Sequence, residues 1–136
     1  RSLQSLTGRN GLNLPVSTIK PYDYYGSEGM YMLYELRIYT ILEGRMDAIQ
    51  QRFERHTLGI FERLGIKVAD FWIDQTGHPK LYYVIEYKNM EDRQLKWGTF
   101  VQDPEWVEVK RKSEESGPII EKIEEIFMRR AEFFRR

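Results

Sequence analysis

Ile119-Ile120-Glu121-Lys122-Ile123-Glu124-Glu125-Ile126-Phe127-Met128-Arg129-Arg130 is the stretch whose reading decides the fold. Its apolar residues Ile119, Ile120, Ile123, Ile126 and Phe127 fall at helical steps, and periodicity alone makes it a helix. As a strand it puts Ile123, Glu125 and Phe127 on one face and Glu124, Ile126 and Met128 on the other, a less tidy division. The upstream elements weigh against the local pattern. Tyr31–Thr40 alternates Leu36 and Ile38 against Glu35, Arg37 and Tyr39, the period-two mark of a strand. After Gly44, Arg45–Leu64 spaces Met46, Ile49, Phe53, Ile60, Phe61 and Leu64 as a helical stripe, and Gly65 closes that helix as a left-handed cap. Lys67–Asp74 and Leu81–Tyr87 are two more strands, joined into a hairpin by the turn residues Gln75-Thr76-Gly77-His78-Pro79. Asn89 caps a helix over Met90–Val101. Asp103-Pro104 opens another, with Asp as N-cap and Pro at the first helical position, running through Trp106 to end near Gly117-Pro118. The order strand, helix, strand, strand, helix wants a fourth strand to complete a split βαβ sheet, and Lys122–Arg130 is expected to supply it.

At 136 residues the chain is one domain, large enough to bury a core without covalent staples. Its apolar and charged fractions, 41% and 31%, are those of a soluble globular protein, and no apolar run nears the ~20 residues of an integral membrane segment. The absence of cysteine excludes disulfides, thiol catalysis and thiolate metal sites. Basic and acidic residues balance at 21 each, so no global field draws the chain to nucleic acid or anionic lipid, and near-zero net charge eases self-association. Residues 1–30 differ in composition, rich in Ser, Gly and Asn, with Pro15 and Pro21 and the cluster Tyr22, Tyr24 and Tyr25. They are expected to form an extended arm packed on the domain or a neighbouring subunit. They lack the apolar centre of a signal peptide; the missing initiator Met suggests processing or an added segment, with Met30 as a natural start for the folded unit. The expected setting is cytoplasmic.

Tyr34-Glu35-Leu36-Arg37-Ile38-Tyr39-Thr40 with Glu43-Gly44 is followed by His56, Leu64-Gly65-Ile66, Phe71-Trp72, Asp103-Pro104-Glu105-Trp106 and Gly117-Pro118-Ile119-Ile120. In order and spacing these resemble a NIPSNAP domain over about Tyr31–Met128. The resemblance implies an α+β, ferredoxin-like βαββαβ protomer with a four-stranded antiparallel sheet, paired into a dimeric α+β barrel. It also implies the strand at Lys122–Arg130, and is the main reason for overruling the periodicity there. NIPSNAP-like proteins are linked loosely to vesicle or mitochondrial biology in animals. The wider barrel superfamily includes cofactor-independent monooxygenases, haem-degrading enzymes and small-molecule isomerases or dehydratases, and a shared fold does not choose among them. Two ends depart from the family pattern: residues 1–29 have no counterpart, and Arg129-Arg130-Ala131-Glu132-Phe133-Phe134-Arg135-Arg136 stands where a Pro-rich tail is usual.

Site motifs are mostly absent: there is no phosphate loop, Rossmann fingerprint, HExxH, EF-hand loop or nucleophile elbow, so neither cofactor nor metal is expected. His56 falls one helical step beyond Phe53 on the apolar stripe and is the candidate catalytic residue, since imidazole serves as acid or base near neutrality. The alternative is a core histidine bonded for structural reasons. Glu35, Arg37 and Tyr39 form the polar face of the first strand. Either Arg37 and Tyr39 recognise an anionic or phenolic ligand, or Arg37 pairs with Glu35, Glu86 or Asp70 in an internal network that fixes strand register. Trp72 and Tyr83 would wall the ligand pocket between helices and sheet; otherwise they are core, like Trp97 and Trp106. His78 reads as a solvated turn residue, Lys110-Arg111-Lys112 with Glu114-Glu115 as a solvated helix face, and the arginines flanking Phe133-Phe134 as a frayed or packed tail. Two functions follow: a homodimer (or higher oligomer) holding a small-molecule ligand, with oxygenase-type chemistry in view, or a non-catalytic interaction module.

Overall fold

The computed structural model describes residues 31–134; the expected arm over 1–30 lies outside the described residues, as do Arg135 and Arg136. Strand β1 (Leu33–Ile41) leads into helix α1, which runs in three contiguous segments, Met46–Arg52, Phe53–Thr57 and Leu58–Arg63. The hairpin β2 (Lys67–Ile73) and β3 (Lys80–Tyr87) follows, then α2 (Met90–Gln102), α3 (Pro104–Ser113) and β4 (Ile120–Met128). The four strands form one antiparallel sheet in the order β2-β3-β1-β4, with the helices on one side. This is the expected α+β, ferredoxin-like arrangement. The last strand is a strand, shifted two residues toward the N-terminus of its expected span, and α3 stops a turn earlier than expected.

Local chemistry sets the boundaries. Asn89 Oδ1 accepts the Asp92 N–H at 2.8 Å and Asp103 Oδ2 accepts the Trp106 N–H at 3.1 Å, so both N-caps act as their residue types suggest. Gly65 ends α1 at φ +76°, a left-handed backbone that a Cβ would strain. The hairpin turn is held by Asp74 Oδ1, which accepts the N–H groups of Thr76 at 2.7 Å and His78 at 3.1 Å; His78 itself is exposed.

The middle of α1 departs from the sequence reading. Over Phe53–Thr57 it widens into a π segment, and the Leu58 N–H bonds back to the Phe53 carbonyl. A π turn advances less than the ~100° per residue of an α-helix, so a count of α-helical steps from Phe53 puts the wrong residue on the buried face. Thr57 takes that place, buried with its hydroxyl donating to the Arg52 carbonyl at 3.3 Å, and His56 turns out to solvent. The expectation of a buried His56 is corrected accordingly.

The core lies between helices and sheet. Ile49, Phe53, Ile60 and Phe61 of α1 pack on Tyr39 and Ile41 of β1 and on Leu81, Tyr83 and Ile85 of β3. Each such buried side chain contributes roughly 1.5–3 kcal/mol. Rings fill the layer continuously. Tyr83 stacks on Phe71 with centroids 4.9 Å apart, Phe53 meets Phe71 at 4.8 Å and Phe61 meets Phe100 at 4.8 Å; Phe100 in turn stacks on Trp106 at 4.7 Å. The opposite face of the sheet carries Leu36 and Ile38, Tyr82 and Val84, Trp72 and Ile126.

Candidate functional site

The polar face of β1 looks at the helices, not at water. Glu35, Arg37 and Tyr39 are buried there, while Leu36 and Ile38 line the open face. Glu35 is the hub. Its carboxylate accepts Arg37 Nη1 at 2.8 Å and takes Arg93 side-on, Nε at 3.0 Å and Nη2 at 3.0 Å. Arg37 also donates through Nη1 to Glu125 Oε2 at 2.8 Å and through Nε to the Tyr83 hydroxyl at 3.0 Å, which lies 2.8 Å from the Tyr39 hydroxyl. The indole of Trp97 lies 4.1 Å from the Arg37 guanidinium carbon and 5.6 Å from that of Arg93. Two cations meet two carboxylates, so the cluster is neutral and its charges are matched within the chain, as burial requires.

The cluster ties β1, β3, β4 and α2 together. Its electrostatics favour holding over proton transfer. Burial, with Tyr39 adding to it, pushes the Tyr83 hydroxyl far above its ordinary range and outweighs Arg37, so it stays a neutral phenol. Burial alone would weaken the charge on Arg37; Tyr83, Tyr39 and Glu35 overcome it and raise its pKa further. For Arg93 too burial opposes the charge, and the bonds to Glu35 prevail. Nearby, the Tyr87 hydroxyl is buried without a hydrogen-bond partner among the described residues, and burial raises its pKa as well.

Of the six residues picked from sequence, the structure brings four together: Glu35, Arg37, Tyr39 and Tyr83. Trp72 and His56 are elsewhere. Trp72 is 48% exposed on the open face, across from Tyr82, and cannot share a wall with Tyr83. The reason is register: β2 carries an irregularity between Val68 and Asp70, after which Phe71 takes the place beside Tyr83. Glu86 and Asp70, offered as partners for Arg37, also lie on the open face, where Glu86 meets Lys67 at 3.3 Å. Sequence reading missed Arg93 and Glu125. Arg93 sits on a helix where charge reads as surface, one turn after the Asn89 cap; Glu125 is the residue that made the strand pattern of β4 untidy.

His56 lies instead in an open groove of about 670 Å³ between α1 and α3, together with Arg52, Arg55, Lys112 and Ser113. Arg52 is buried over the Trp106 ring, 5.0 Å from its centroid, and donates through Nη1 to Ser113 Oγ and Glu114 Oε2, both at 3.1 Å.

A helix-backed, four-stranded antiparallel sheet with this order places the chain in the ferredoxin-like α+β class, as the solved structures it resembles agree. An uncharacterized NIPSNAP-like domain protein from Burkholderia xenovorans matches with a TM-score of 0.69 at 21% identity, over 81% of this chain and 92% of that one. A NIPSNAP family protein from Agrobacterium tumefaciens matches with a TM-score of 0.67 at 19% identity, over 75% and 95%. A dimeric protein of unknown function and ferredoxin-like fold from Bacteroides fragilis matches with a TM-score of 0.50 at 11% identity, over 71% and 94%. No curated protein matches the chain. The NIPSNAP family model matches residues 34–135, and the chain belongs to the NIPSNAP family. Among the described residues no helix is long and apolar enough to cross a membrane.

Proposed function

We propose that this NIPSNAP chain is an assembly module in which two copies close face to face through the open side of the sheet, as a dimeric α+β barrel. The observation that carries the reading is that open face. Trp72 and Ile126 are 48% and 45% exposed there, beside the half-buried Leu36, Ile38, Tyr82 and Val84. An apolar surface of this breadth is uncomfortable in water, and a two-fold contact covers it on both copies at once. The dimeric description of the Bacteroides fragilis protein supports the same occupant. The helix side supports a scaffold rather than a pocket between helices and sheet. Its rings pack against one another and its buried charges pair internally, so Glu35, Arg37, Tyr39 and Tyr83 hold the protomer rigid instead of meeting a ligand.

Light scattering coupled to gel filtration tests this. The wild-type protein is expected to run as a dimer, and Trp72→Glu as a monomer with an unchanged far-ultraviolet circular dichroism spectrum. A monomeric wild type overturns the proposal, as does a Trp72→Glu variant that remains fully dimeric. Native mass spectrometry adds a second arm: a bare dimer supports the scaffold, whereas a dimer retaining a small molecule that is lost in Tyr83→Phe but kept in Arg52→Lys restores the interior pocket, with His56 outside it.

A further inference from the structure

The side-on edge of a guanidinium, Nε–H beside Nη2–H, is the fork that takes a carboxylate or phosphate in two parallel hydrogen bonds. This chain holds that fork in two states. On Arg93 it is filled by the two oxygens of Glu35, each at 3.0 Å. On Arg52 it is empty. Among the described residues, Nη1 makes both hydrogen bonds of that side chain, to Ser113 and Glu114, while Nε is buried with no partner and no hydrogen bond uses Nη2. A buried guanidinium that leaves its best edge unused is an anomaly, because buried donors are nearly always satisfied. Arg52 is nonetheless held in place, only 5% exposed, between the Trp106 ring and the end of α3.

The surroundings carry the matching charge. Arg55 and His56, which the π segment turns outward, line the same groove, as does Lys112 of α3. The groove's acidic residues are already engaged. Glu105 meets Arg63 at 2.9 Å, and Glu108 and Glu115 meet Arg111 at 2.7 Å and 3.2 Å. Among the described residues, Arg55, His56 and Lys112 form no ion pair, although Lys112 helps to lower the pKa of Glu108. The volume of about 670 Å³ suits a metabolite-sized molecule. π segments recur at functional sites.

We propose that the groove between α1 and α3 binds a small organic oxyanion, a carboxylate or a phosphate ester, with Arg52 taking two of its oxygens side-on through Nη2 and Nε. Arg55, His56 and Lys112 flank the anion and supply further donors. Nε lies beneath the surface, so the second oxygen reaches it only by displacing the side chains packed over that edge.

The test is a nitrogen-15 NMR titration of the arginine Nε–H resonances of the full chain with inorganic phosphate and, separately, with succinate, at ionic strength held constant with sodium chloride. The Arg52 resonance, assigned by its loss in Arg52→Lys, is expected to shift and saturate, while that of Arg93 stays put. Whichever anion saturates first identifies the phosphate or the carboxylate as the recognised group. Arg52→Lys keeps the charge but loses the fork, and binding followed on the His56 and Arg55 signals should weaken about tenfold. Arg55→Ala and His56→Ala, at exposed positions that leave the fold intact, should each weaken it a few-fold. The proposal is overturned if neither anion shifts the Arg52 signal at tens of millimolar, if a separate titration with sodium chloride alone produces the same shift, or if all three variants bind as wild type does.

Discussion

Arg93 and Arg52 look alike from outside the context of their partners. Each is a buried arginine on a helix, and each guanidinium lies over a tryptophan, Trp97 at 5.6 Å and Trp106 at 5.0 Å. Their side-on edges set them apart. That of Arg93 is closed on Glu35, inside a neutral cluster spanning three strands and a helix; that of Arg52 is open, in a groove whose acids are already paired. The comparison teaches that burial alone does not mark an arginine as structural. Both arginines meet a carboxylate of the chain, Glu35 for Arg93 and Glu114 for Arg52; what distinguishes the two is whether that carboxylate fills the side-on edge.

The closed side can be broken most severely at Glu35. Glu35→Ala leaves Arg37 and Arg93 facing Glu125 alone and is expected to cost about 3–5 kcal/mol in urea unfolding. A midpoint close to wild type would remove Glu35 as the hub. Next in size is Tyr83→Phe, which strips the acceptor from Arg37 Nε and the partner from Tyr39; the same experiment should register about 1–3 kcal/mol. Asn89→Ala removes the cap of the helix that presents Arg93, and thermal melts should report a loss of about 1 kcal/mol.

The smallest expected effect belongs to the open side. Asp103 caps α3, which carries Trp106 and Ser113 to Arg52, and its carboxyl is held below the usual carboxylate range, chiefly by the hydrogen bond from Arg63 at 2.8 Å and then by the Trp106 N–H. Because the folded pKa is the lower one, this contribution is fully present above the ordinary aspartate pKa and is lost as pH falls through the folded value. Stability measured against pH should therefore show a modest acid slope that disappears in Asp103→Asn and shrinks with added salt, since Arg63 is half exposed. An unchanged slope in that variant would sever Asp103 from the acid response.

Sequence reading reached the topology because punctuation and capping are local. Gly65, Asn89 and the Asp103-Pro104 pair act through their own backbone neighbourhood, and the turn around Gly77 does the same. β4 was readable only through element order and family resemblance. Its apolar residues divide between both faces of an edge strand, Ile123 and Phe127 toward the helices and Ile126 toward the open face, and its inward Glu125 is committed to Arg37. A charge used that way looks like a surface residue in any periodicity count. His56 was misplaced for a different reason. The π segment changes the angular step of α1 without any change in the spacing of its apolar residues that would announce it. The pairing of Arg93 with Glu35 crosses 58 residues and depends on how α2 lies over β1, which no local pattern contains.

The most direct test of the distinction sets Arg93→Met beside Arg52→Met in urea unfolding under identical, anion-free conditions. Removing Arg93 takes two hydrogen bonds from a fully buried carboxylate, whereas removing Arg52 frees a partly exposed Glu114 that keeps Lys110 at 3.3 Å. Arg93→Met is expected to be less stable than Arg52→Met by at least about 1 kcal/mol. Equal losses, or a larger loss at Arg52, would contradict the account.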